Sequence, residues 1–196
     1  MLLRRLTSTI LLKATNTRLH KQIPIRLPHE ILAELVQKGA SVLDYNNYDP
    51  DDVVARSFKD HHVVQQFGMG NCVPIGLYSD ATPVFKRHIM VSGSMNITWA
   101  RHRYITYAVL KDVLCKCGCN GRCTMDVIQL AINASLRCCA QNLHMSSRLD
   151  GLPWGQGDPH RSCMAGKPLG VFGAVAEYRA DWPEMAAIAG VQEMER

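Results

Sequence analysis

Gly170-Val171-Phe172-Gly173-Ala174-Val175-Ala176-Glu177-Tyr178 is a nearly unbroken apolar run that stops at Arg179-Ala180-Asp181. A short apolar run with a glycine before it and charge after it reads as a strand buried on both faces. Such a strand needs a sheet to enter, and the sequence upstream supplies one. From Thr124 to His144 the residues Ile128, Ile132, Leu136, Cys139 and Leu143 recur at spacings of three and four, the signature of one helical face. Before that helix come three extended stretches. Val73-Pro74-Ile75-Gly76-Leu77-Tyr78 ends at Ser79-Asp80. Residues 85–99 carry Ile89, Met90, Val91, Met95, Ile97 and Trp99, with Ser92-Gly93-Ser94 predicting a dividing turn. Residues 103–110 are rich in β-branched and aromatic side chains. Residues 182–189 read as a further helix, with Pro183 in its first turn.

The order strand, strand, strand, helix, strand, helix has a specific meaning. Three antiparallel strands, a right-handed crossover and a fourth strand beside the first open an RNase H-like domain. The expected class is α/β: a partial RNase H-like β-β-β-α-β-α core with an inserted zinc knuckle and a helical N-terminal extension. Asp80 and Asp181 then face each other where adjacent strands end. Paired carboxylates hold Mg²⁺, and two such ions support phosphoryl transfer. A third acid is normally required. Glu184 is the nearest candidate, with Glu193 and Glu195 further on. The competing reading is local: an Asp at a strand end forms turns, and Asp181-Trp182-Pro183-Glu184 also fits a capping box.

The sharper chemistry lies in Cys115-Lys116-Cys117-Gly118-Cys119-Asn120-Gly121-Arg122-Cys123. Four thiols in nine residues suit a soft, tetrahedral ion such as Zn²⁺. A closed set of four would make that ion structural. The spacing is tight, so His102, His144, His160 or Cys163 could complete the shell in place of one or two cysteines. Free or oxidisable thiols and an iron–sulfur cluster are the other readings. Cys138 and Cys139, within the helix, read as core, as do Trp99, Trp154 and Trp182. His61, His62 and His88 read as surface residues without a clear partner.

Charge divides the chain. Residues 1–29 carry six basic residues and no acid; the rest carries sixteen basic and seventeen acidic residues, a net of −1. The body is therefore not a broadly basic nucleic-acid binder. Residues 1–28 read as a basic leader or disordered arm, residues 29–67 as a helical extension, and residues 68–196 as a truncated RNase H-like domain with its knuckle at 115–123. The Arg-rich, acid-free start is compatible with a mitochondrial transit peptide, although a nuclear location is favoured. No apolar run approaches about 18 residues, so no membrane-spanning helix is expected.

Pro74-Ile75-Gly76-Leu77-Tyr78-Ser79-Asp80, Cys117-Gly118-Cys119-Asn120-Gly121-Arg122-Cys123, Asp150-Gly151-Leu152-Pro153-Trp154 and Ala180-Asp181-Trp182-Pro183-Glu184 stand in that order. In that order they resemble transposase-like, cysteine-knuckle open reading frames repeated in dinoflagellate genomes, over residues 70–190. The resemblance implies metal-dependent phosphoryl transfer on DNA as the ancestral reaction. Ala81 and Leu149 depart from the pattern, where glycine and histidine are usual. A truncated or decayed copy, inactive as this chain, is therefore the expectation. A non-enzymatic zinc module contacting protein or nucleic acid is the alternative.

Overall fold

A computed structural model describes residues 4–12, 17–85, 88–100 and 102–180. Its elements are β1 (Arg4–Leu12), β2 (Thr17–Ile25), α1 (Pro28–Gln37), α2 (Val53–Lys59), α3 (His62–Phe67), β3 (Cys72–Phe85), β4 (His88–Ile97), β5 (Arg103–Leu110), α4 (Arg122–Gln141), α5 (Pro159–Met164) and β6 (Phe172–Ala180). The strands form one mixed sheet in the order β1-β2-β5-β4-β3-β6. Neighbours are antiparallel except β3 and β6, which run parallel from Cys72↔Phe172 to Ser79↔Ala180. The return strand β6 thus lies beside the first of the three upstream strands, at the edge of the sheet and mostly half-buried, with Gly173 and Ala174 buried, and the long helix α4 makes the crossover.

Alternation along β3 explains the layers. Successive side chains of a strand point to opposite faces. Val73, Ile75 and Leu77 face Ile31, Leu32 and Leu35 of α1 and Cys139 of α4. Cys72, one residue out of phase, packs with Phe58 of α2, Val63 and Val64 of α3, and Ala174. The stretch 29–67 therefore splits: α1 covers one face of the sheet, and α2 with α3 covers the other. Each of these helices has an apolar side that the sheet buries. Further along the α4 face, Ile128, Ala131 and Ile132 pack on Ile23, Ile25, Val91, Tyr107 and Val109.

Residues 4–12 and 17–25 pair as a hairpin, joined to the sheet at Ile25↔Tyr107. Ile23, Ile25 and Leu27 are fully buried, which is what recruits this segment. No turn divides β4 at Ser92-Gly93-Ser94. A Cβ on Gly93 would stand 2.2 Å from Tyr107 Cε1, so glycine is there for the close approach of that ring, not to reverse the chain. Finally, Asp80 does not end its strand. β3 continues to Phe85, and Asp80 pairs in register with Ser92. The helix expected over 182–189 lies outside the described residues. Among the described residues no helix is long and apolar enough to cross a membrane.

Candidate metal centre

The knuckle is built by its backbone. A 3₁₀ turn over Lys111–Val113 follows β5 and delivers Leu114 and Cys115, 6% and 4% exposed, into the core. The Cys115 N–H donates to Thr124 Oγ1 at 3.0 Å, which ties the start of the loop to the first turn of α4. Thr124 is fully buried there, so it serves this tie and not as the helix cap. Gly118, Asn120 and Gly121 all have left-handed φ, at 101°, 51° and 87°. Three such residues in four curl the loop back over α4. Gly121 caps α4, and a Cβ there would meet Leu114 Cδ1 at 2.8 Å. Glycine is therefore required twice at that position, for its torsion and for the contact.

The result is convergence of all four thiols. The Sγ atoms of Cys115, Cys117, Cys119 and Cys123 lie within 4.8 Å of one another. Cys117 Sγ and Cys123 Sγ are 3.8 Å apart. That is far beyond the ~2.05 Å of a disulfide. It matches the edge of a tetrahedron with metal–sulfur bonds of about 2.3 Å, which is also about 3.8 Å. The four cysteines can hold one metal ion, compatible with structural zinc. None of His102, His144, His160 or Cys163 belongs to the cluster.

Electrostatics prepare the site unevenly. Burial pushes the Cys119 thiol up. The Cys123 N–H, donating to Cys119 Sγ at 3.5 Å, and the neighbouring thiols outweigh this and bring its pKa down to about 6. The Cys119 sulfur, which precedes α4 and accepts from an N–H of its first turn, thus sits where negative charge is favoured. Its contact with Cys123, and then that of Cys117, pushes the Cys123 thiol up to about 12. Contacts with Cys119 and Cys115 raise Cys117 as well. One thiolate makes the next harder to form. An ion that binds here displaces the remaining protons and removes that repulsion.

The carboxylate candidates are placed differently. Asp80 Oδ2 accepts from Tyr78 Oη at 3.1 Å and from Thr82 Oγ1 at 3.2 Å, all three on one face of β3. Asp181 and Glu184 lie outside the described residues. Among the described residues, the four cysteines are the only group of three or more His, Cys, Asp or Glu side chains that could hold an ion.

Several partners were not legible from the sequence. His61 Nδ1 accepts from the Val63 N–H at 3.2 Å, capping α3, and His88 meets Asp112 at 2.7 Å. Ser135 Oγ lies 2.9 Å from the His29 N–H and 2.7 Å from His29 Nδ1, joining α1 to α4 in the core. Burial, partly opposed by Glu30, lowers the His29 pKa to about 4. His144 packs edge-on against this ring at 5.8 Å. Trp99 is half-buried, with Tyr45, Tyr48 and Phe58 meeting it edge-to-face. Trp154 donates to the Met145 carbonyl at 3.0 Å, under Arg161. No family model matches this chain, and no curated protein or solved structure does.

Proposed function

We propose that this chain is a zinc-stabilised, RNase H-like domain of transposase descent that contacts DNA and does not cut it unaided. The observation that carries the reading is the sheet. β5-β4-β3-β6, with three antiparallel strands and β6 parallel to β3 across a helical crossover, is the strand arrangement that an RNase H-like core uses. The last described pair of β3 and β6 is Ser79↔Ala180. Asp80 and Asp181 directly follow these two residues in the sequence, which supports reading the two carboxylates as a pair. Asp80 and Asp181 are the proposed carboxylates of an ancestral Mg²⁺ site, with Glu184 as a third. Zinc, held by Cys115, Cys117, Cys119 and Cys123, is structural in this reading, because four thiolates leave no open position for chemistry.

The alternative, a zinc module with no nuclease ancestry, is favoured by the partners of Asp80. Tyr78 and Thr82 already occupy its carboxylate. Mn²⁺ in place of Mg²⁺, followed by electron paramagnetic resonance, separates the two. Binding of Mn²⁺ to the chain that is lost in both Asp80→Asn and Asp181→Asn supports the carboxylate pair. Binding unchanged in both leaves only the module. In a plasmid-nicking assay with Mg²⁺ we expect no product; nicking that Asp80→Ala abolishes would overturn the claim of inactivity.

A further inference from the structure

A groove of about 620 Å³ opens beside the knuckle. Leu114 and Cys115 floor it, Lys111 and Lys116 stand on its rim, and Gly118, Asn120 and Gly121 form the facing wall. That wall is largely backbone. Nothing stands within 4 Å of the place a Cβ on Gly118 would take, so a ligand can come close to the main chain there. The charge is local. Residues 111–123 hold Lys111, Lys116 and Arg122 against one acid, Asp112. Asp112 faces His88 and not the lysines. Among the described residues neither lysine has an ion-pair partner within 4.0 Å. The rest of residues 30–196 holds thirteen basic and sixteen acidic residues, so this concentration of cations is a focus for an anion.

We propose that this groove seats the phosphodiester backbone of duplex DNA, with Lys111 and Lys116 each neutralising one phosphate. The proposal rests on the reading that the chain contacts DNA, and it names where. Two lysines beside backbone walls suit a polyanion read by charge and shape, not by base sequence. The competing use of the lysines is as counterions to the centre itself, since four thiolates and one divalent ion carry a net charge of −2.

Fluorescence anisotropy of a labelled duplex of about 20 base pairs, titrated with zinc-loaded chain 1–196 at several salt concentrations, tests this. The double variant Lys111→Ala/Lys116→Ala should bind at least about tenfold more weakly at 0.1 M salt. The slope of log affinity against log salt should fall by about 2, one unit for each lost phosphate contact. Zinc content should stay at that of the parent, and Lys59→Ala, an exposed cation on α2, should bind as the parent does. A parent that binds DNA with the double variant unchanged overturns the groove and leaves the DNA reading standing. Zinc lost together with DNA binding shows counterions, and an equal loss in Lys59→Ala shows diffuse charge; either overturns the groove. A parent that binds no DNA removes the DNA reading and the groove together.

Discussion

The knuckle and the Asp80 strand are two ways of gathering reactive groups. In the knuckle all four donors come from nine consecutive residues, and three left-handed torsions bring them together. At Asp80 the intended partner is a hundred positions away, and only the register of β3 with β6 could bring it near. A local site depends on turn chemistry that the sequence states outright. A distant one depends on a whole core being right. The first is therefore robust to changes elsewhere, and the second inherits every error of packing between the two strands.

The largest expected effect breaks the local half. Cys123→Ser, or treatment with a strong chelator, should take bound zinc from one per chain to none and destabilise the protein by more than about 3 kcal/mol. Elemental analysis and urea unfolding check both. If the ion-free chain unfolds at the parental midpoint, the knuckle is not structural.

Next comes the distant half. Ile75 is fully buried between β3, α1 and α4, beside Val175 of β6. Ile75→Ala should cost about 2–5 kcal/mol in urea unfolding. It should loosen β6 in hydrogen exchange while zinc content stays unchanged. Zinc lost in this variant would show that the two sites are not independent.

Acid should separate the halves further. Burial holds the His29 imidazole at about 4, against about 6.5 for the exposed ring. Between these values the unfolded chain binds a proton that the folded chain refuses. Stability is then fully present above pH 6.5 and is lost as pH falls towards 4, by about 3 kcal/mol. His144, lowered by burial, adds in the same direction. His29→Gln should flatten this part of the profile when unfolding is followed by urea at pH 7 and pH 4.5.

The smallest effect concerns Asp80 itself. Its carboxylate is partly exposed, and among the described residues two hydroxyls meet it. Asp80→Asn keeps both as donors to an oxygen, so stability should change by less than about 0.5 kcal/mol. A much larger loss would show that Asp80 holds something the two hydroxyls do not explain.

Much of the scaffold could be read from the chain, because its signals are local. The cysteine spacing, the glycines within it, the three-and-four periodicity of α4 and the apolar run of β6 each state their structure within a few residues. The features that could not be read depend on neighbours distant in sequence. Ser92-Gly93-Ser94 has the composition of a turn, and its pairing with β3 on one side and β5 on the other makes it a strand. Asp80 looks like a stop, yet β4 pairs past it to Phe85. Residues 1–29 carry six basic residues and no acid, and nothing local in that charge says that Ile23 and Ile25 will be buried. His29 carries no mark that Ser135, 106 residues later, will hold it.

The contrast in span also orders events in time. A loop of nine residues loses little entropy on closing, whereas the β3–β6 pairing must close a loop of about a hundred. During synthesis residues 115–123 leave the ribosome well before Phe172 exists. Metal capture can therefore precede completion of the sheet, giving the nascent chain a formed first turn of α4 from which the crossover grows.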